Sequence, residues 1–293
     1  MTSTSPTDST LPSYGGRLRA AMDRHGPFCV GIDPHTTLLA RWGLPDTVEG
    51  LERFALTCVE AFGGSVAAVK PQSAFFERFG SAGVAVLERT LAELRDAATL
   101  SLLDAKRGDI GTTMAGYAQA YLSDGSSLRA DAVTLSPYLG YESLRPALDL
   151  AQATGRGVFV LTLTSNPEGA AVQHASLGGR TVAASVVEGV TGDNAAARAA
   201  RTLGSVGMVV GATVGSAPAD LGLDLAAASG PILAPGLGAQ GGTAQSVRHT
   251  FGPAVGQVLG TSSREVLEAG PDVAALRSAA RRAADELAVG LAG

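Results

Sequence analysis

Cysteine is almost missing from this 293-residue chain. Cys29 and Cys58 give neither a disulfide framework nor a metal-ligand spacing. Their apolar surroundings mark them as small core residues. Histidine is scarce as well, and no His/Asp/Glu cluster has the spacing of a metal site. His25 reads as a surface residue, and His35, His174 and His249 read as structural or exposed. Positive charge is in deficit, with 22 Lys and Arg against 27 Asp and Glu, a net charge of −5. No basic tract stands out, which argues against a nucleic-acid partner. No apolar run has the length of a membrane span. Residues 1–13 are rich in Ser, Thr and Pro and lack a basic region followed by an apolar one. They are expected to be a flexible tail and not a signal peptide, and a cytoplasmic location follows by default.

What is present is ordinary globular material, 45% hydrophobic and 17% charged. Apolar, strand-like segments recur at 28–33, 66–72, 101–106, 132–137, 158–164, 208–213, 232–236 and 256–261. Most are separated by stretches long enough for a helix, such as 47–62, 83–98, 110–122 and 141–154, and 272–292 reads as a final helix. Eight such alternations predict parallel βα units. A single catalytic domain over 14–293, closed as a (β/α)₈ barrel, fits count and length. A doubly wound open sheet is the competing arrangement. No domain linker is visible. The long interval 165–207 has room for an extended loop and helices over a barrel mouth.

The ends of these segments carry the chemistry. They read Gly31-Ile32-Asp33-Pro34-His35, Val69-Lys70-Pro71-Gln72, Asp104-Ala105-Lys106 and Thr164-Ser165-Asn166-Pro167. The seventh runs into Pro235-Gly236-Leu237-Gly238-Ala239-Gln240-Gly241-Gly242, and the eighth leads to Arg264. A barrel would collect all of them on its C-terminal face, where barrel active sites lie.

The most telling run is Asp104-Ala105-Lys106-Arg107-Gly108-Asp109-Ile110-Gly111-Thr112-Thr113. Residues i and i+2 of a strand share a face, so Asp104 and Lys106 point the same way. Asp109 lies past the strand end. A lysine between carboxylates stays protonated when desolvated. It would be a fixed cation with a proton to donate, beside acids that repel a substrate carboxylate. The alternative is a structural ion-pair network, with Lys70, Asp104, Lys106 and Asp109 satisfying one another. Gly236, Gly238 and their neighbours form a glycine-rich turn that lets backbone N–H groups approach an anion. Arg264 could add a bidentate grip on a phosphate; a plain tight turn and a solvated arginine are the alternative. Asp33 could accept hydrogen bonds from sugar hydroxyls. Ser165 has no base beside it, which speaks against a nucleophilic triad and for a hydrogen bond to a ligand.

On Asp104 to Thr113, Thr164 to Pro167 and Pro235 to Gly242, joined to Lys70, the chain resembles the orotidine 5′-phosphate decarboxylase family, in its longer bacterial branch. The resemblance covers nearly the whole chain after the tail. It implies a barrel homodimer that converts orotidine 5′-monophosphate to uridine 5′-monophosphate and CO₂ without metal or organic cofactor. By the family pattern Lys106 protonates C6 and Asp104 lies against the departing carboxylate. Asp109, Ile110 and Thr113 reach into the partner's site. Lys70 and Asp33 hold ribose hydroxyls, Ser165 contacts the pyrimidine, and Gln240 and Arg264 bind phosphate. Arg264 follows Thr261-Ser262-Ser263, where shorter members have a glycine–arginine step. Two rivals share the scaffold. Metal-dependent sugar-phosphate enzymes use an acid where this chain has Lys70, which would repel a divalent cation. A silent nucleotide-binding barrel would have no need of buried like charges.

Overall fold

The computed structural model describes residues 12–238 and 241–292. Its strands are Phe28–Ile32 (β1), Ala68–Pro71 (β2), Leu100–Arg107 (β3), Ala132–Leu135 (β4) and Gly157–Leu163 (β5). Then come the short Ser176–Leu177 (β6) and Arg180–Thr181 (β7), followed by Val206–Val210 (β8), Ile232–Pro235 (β9) and Val258–Ser262 (β10). Eight of them close a parallel barrel in the order β1-β10-β9-β8-β5-β4-β3-β2, and β6 and β7 form a separate antiparallel hairpin. The fold is the (β/α)₈ barrel, so the open-sheet alternative is excluded. Each barrel strand overlaps one expected segment, with ends shifted by three residues or fewer.

Alternation along the strands decides what faces inward. Cys29, Ala68, Leu102, Ala132, Phe159, Val209, Leu233 and Leu259 form one buried cluster inside the barrel. Their chain neighbours Val30, Val69, Leu103, Val133, Val160, Val210, Ala234 and Val258 belong to the other, between sheet and helices. Side chains two residues further on return to the interior. That step lifts Lys70 above Ala68, Asp104 above Leu102, Thr134 above Ala132 and Thr261 above Leu259. The polar residues of the site are therefore the top layer of the barrel's own interior.

The helix Tyr14–His25 was not expected from the sequence. Ser13 caps it by accepting a hydrogen bond from the Gly16 amide. Tyr14, Leu18 and Met22 recur every four residues and are buried in the interior cluster. The Tyr14 ring meets Phe159 edge-on at 6.0 Å, and Arg17 pairs with Asp131 at 2.5 Å. Together they seal the barrel end opposite the site. Of the expected tail, 1–11 lies outside the described residues. The interval 165–207 holds β6 and β7 and the helices Ala170–Gln173, Val182–Asp193 and Ala195–Ala199.

Candidate active site at the barrel mouth

Asp104 is the hub. Its Oδ2 accepts from Lys70 Nζ at 3.0 Å and from Gln72 Nε2 at 2.9 Å. Its Oδ1 accepts from Lys106 Nζ at 2.6 Å and from Thr134 Oγ1 at 2.9 Å. The Asp104 and Lys70 side chains are only 9% and 6% exposed, whereas Lys106 is 44% exposed. Burial opposes ionisation of Asp104, but the charges of Lys70 and Lys106 outweigh it and hold the carboxyl well below its usual range. Burial likewise disfavours charge on Lys70, yet Asp104 and Asp33 raise its pKa above the ordinary lysine value. Two lysines thus flank one buried carboxylate, and Asp104 and Lys70 are both ionised at neutral pH.

The backbone here is irregular. Pairing of β3 with β4 runs Leu103 to Val133 and then jumps to Arg107 with Leu135. Four residues of β3 pass while two of β4 do, so the Asp104–Lys106 segment arches out of the ladder. Lys106 itself has a φ of 48°, a left-handed conformation rare outside glycine. Its amide donates to Thr134 Oγ1 at 3.0 Å.

A cavity of about 220 Å³ opens beside this array. Asp33, Lys70 and Asp104 line one side, and Gly236, Ser263 and Arg264 the other. Asp33 Oδ1, Thr261 Oγ1 and Ser262 Oγ are buried without a hydrogen-bond partner among the described residues. Buried polar groups are normally satisfied, so these are atoms that a hydroxyl-rich or anionic ligand would complete. His35 also lines the cavity, against the expectation that it is merely structural or exposed. Its ring lies 4.9 Å from Phe75. Burial, with help from Arg264 and Arg78 and against Asp33, lowers its pKa and favours the neutral imidazole.

The other expected site residues fall in several places. The four-charge chain stops at Lys106 within one protomer. Asp109 instead accepts from the Ile110 amide at 2.8 Å, because it lies past the strand in the turn before the helix Gly111–Leu122. Ile110 and Thr113 are exposed at that helix start. Ser165 is exposed beyond β5 and is not among the residues lining the cavity. The glycine-rich turn is there, with φ values of 106° at Gly236 and 66° at Gly238 that favour glycine. However, the amides of Gly238, Gly241 and Gly242 are bonded to carbonyls inside the turn itself, at 3.0, 2.7 and 2.9 Å. They are not offered to an anion. Gly238 faces a neighbouring cavity of about 410 Å³, with Glu265 and Glu286 in its wall. That space is larger, but the converging charges belong to the smaller one. Gln240 lies outside the described residues. Arg264 begins a short helix after β10 and lines the cavity, so its place after Thr261-Ser262-Ser263 still brings it to the mouth. Sequence reasoning passed over Gln72 and Thr134. Gln72 lies two residues after Lys70 on the same inward face, which was the available signal, whereas Thr134 between Val133 and Leu135 carried none.

Residues 26–279 match the model of the orotidine 5′-phosphate decarboxylase / HUMPS family. The chain is similar to an orotidine 5′-phosphate decarboxylase of Salinispora arenicola, 61% identical over 284 residues, which are 97% of this chain and all of that one. It is 56% identical to the Streptomyces coelicolor enzyme of the same activity, over 94% of this chain and 98% of that one. A crystal structure from Streptomyces avermitilis, assigned the same activity, superposes with a TM-score of 0.93 at 54% identity, covering 99% of this chain and 100% of the other.

Proposed function

The chain belongs to the orotidine 5′-phosphate decarboxylase / HUMPS family, and from that premise we propose how its barrel mouth does the work. It decarboxylates orotidine 5′-monophosphate to uridine 5′-monophosphate in pyrimidine biosynthesis. The C6–carboxylate bond breaks, CO₂ leaves, and the electron pair stays on C6. That pair lies in the plane of the ring, with no attached electron sink. Lys106 delivers a proton to C6 and is reprotonated from solvent.

One observation carries this reading: a lysine amine held at 2.6 Å from a buried carboxylate while its side chain stays 44% exposed. A donor already in place needs no reorganisation as charge develops, which is the main source of electrostatic catalysis. In this reading Asp104 lies against the departing carboxylate, and Lys70 keeps it ionised. Asp33, with an unpartnered oxygen, and Lys70 take the ribose hydroxyls. Arg264 takes the phosphate, with Gly236 allowing close approach. Ser165 contacts the pyrimidine and Gln240 the phosphate in this reading. Binding energy from the remote phosphate is then used to exclude water at the reacting carbon.

The working form we propose is a homodimer in the cytoplasm, with catalysis in 14–293. Ile110, Tyr138 and Leu139 are exposed apolar side chains following β3 and β4. A second copy would cover them and bring Asp109 to the other protomer's Lys106. The direct test follows loss of orotidine 5′-monophosphate absorbance in excess EDTA. Rapid loss is expected, falling at least about 10³-fold in Lys106→Ala while UMP binding survives. Undiminished turnover in Lys106→Ala would refute the proton-donor role.

A further inference from the structure

We propose that Thr134 is a positioning residue that aims the Lys106 ammonium. This inference rests on the reading of Lys106 as proton donor. The Thr134 hydroxyl does two things at once: it accepts from the Lys106 amide at 3.0 Å and donates to Asp104 Oδ1 at 2.9 Å. The same Oδ1 receives Lys106 Nζ at 2.6 Å. The result is a closed ring, running from the Lys106 backbone through the hydroxyl and the carboxylate back to the end of the Lys106 side chain. Both ends of the lysine are thereby fixed relative to one inward-facing hydroxyl on the neighbouring strand.

The backbone gives that hydroxyl its purpose. Lys106 is in the left-handed region at a break in the β3–β4 ladder. Such conformations persist only where the surroundings over-determine them. Across the break, the Thr134 side chain anchors the arched segment to β4. Thr134 is 1% exposed, in a strand position where valine has the same branching and nearly the same size. Packing alone does not call for a hydroxyl there. A hydroxyl whose donor and acceptor capacities are both used on the catalytic pair does.

The test compares Thr134→Val and Thr134→Ser with the unaltered enzyme and with Lys106→Ala. It measures kcat, KM and UMP affinity, with thermal unfolding as a check on folding. Thr134→Val is expected to lower kcat by roughly 10- to 100-fold, the scale of a misplacement of about 1 Å at a reacting group. KM and UMP affinity should stay within a few-fold. Thr134→Ser, which keeps the hydroxyl, should recover most of the rate. A kcat for Thr134→Val within two-fold of the unaltered enzyme overturns the proposal. So does a serine variant as slow as the valine variant, or an equal loss of UMP affinity. Should the valine variant not fold, Thr134→Cys reads the same quantity with a weak donor and acceptor in the hydroxyl's place. An active Lys106→Ala would refute the proton-donor reading itself; an inactive Lys106→Ala beside a normal Thr134→Val refutes only the role of Thr134.

Discussion

Removing the two ends of the Lys70–Asp104 pair should have unequal effects. At 3.0 Å and an effective dielectric of about 20, the attraction is about 5.5 kcal/mol before desolvation is counted. Lys70→Met leaves Asp104 three of its four donors, Lys106, Gln72 and Thr134. The loss is then near that of one charged hydrogen bond, about 1.5–3 kcal/mol. Asp104→Leu instead strands a buried ammonium, and breaking a buried pair from one side costs about 3–5 kcal/mol. Lys106 adds little to that cost, because it is half exposed and water can replace the carboxylate. Combining the two substitutions removes the stranded charge, so the double variant should be at least about 2 kcal/mol more stable than Asp104→Leu alone. Urea unfolding of the four proteins measures this directly. A double variant no more stable than Asp104→Leu, or a Lys70→Met variant worse than Asp104→Leu, would refute the picture of one carboxylate serving two unequal cations.

Arg264→Ala should weaken UMP binding by roughly 10- to 100-fold, the value of a charge-assisted hydrogen bond, and leave uridine binding almost unchanged. Equal losses for both ligands would place the phosphate elsewhere. Differently tagged Lys106→Ala and Asp109→Ala subunits, co-purified as heterodimers, should regain about half the wild-type rate, since one of the two sites then carries neither change; inactive heterodimers would rule out shared sites. Acid should destabilise the protein through Asp104. Its folded pKa lies below the unfolded value of 3.8, so the stability it contributes is present above that pH and is lost as pH falls further. Below about pH 4, Asp104→Asn should therefore show a stability slope shallower by up to about 1.4 kcal/mol per pH unit. Identical slopes by calorimetry would contradict the low pKa.

The barrel was legible because eight apolar runs recur with helices between them, and burying strands on both sides demands that pattern. The helix Tyr14–His25 was not, although its buried residues keep a four-residue spacing. Two glycines at its start and its polar intervening residues hide the signal. At the site, Lys70, Asp104 and Lys106 stood out because charged residues ending apolar strands need partners. Thr134 did not, since a threonine in a strand is unremarked until its neighbours are known. The arch at Lys106 was equally hidden, for lysine carries no mark of a left-handed backbone. Asp109 shows a different limit: the role proposed for it depends on a second chain, and within one chain its carboxylate accepts from the Ile110 amide.

The plug formed by Tyr14, Leu18 and Met22 against Phe159 continues the packed interior to the barrel's far end, away from the site. The charged array opens toward the mouth, the side from which orotidine 5′-monophosphate would enter. The next orotidine 5′-monophosphate cannot be admitted until UMP has gone. Substrate and product would therefore compete for the same opening.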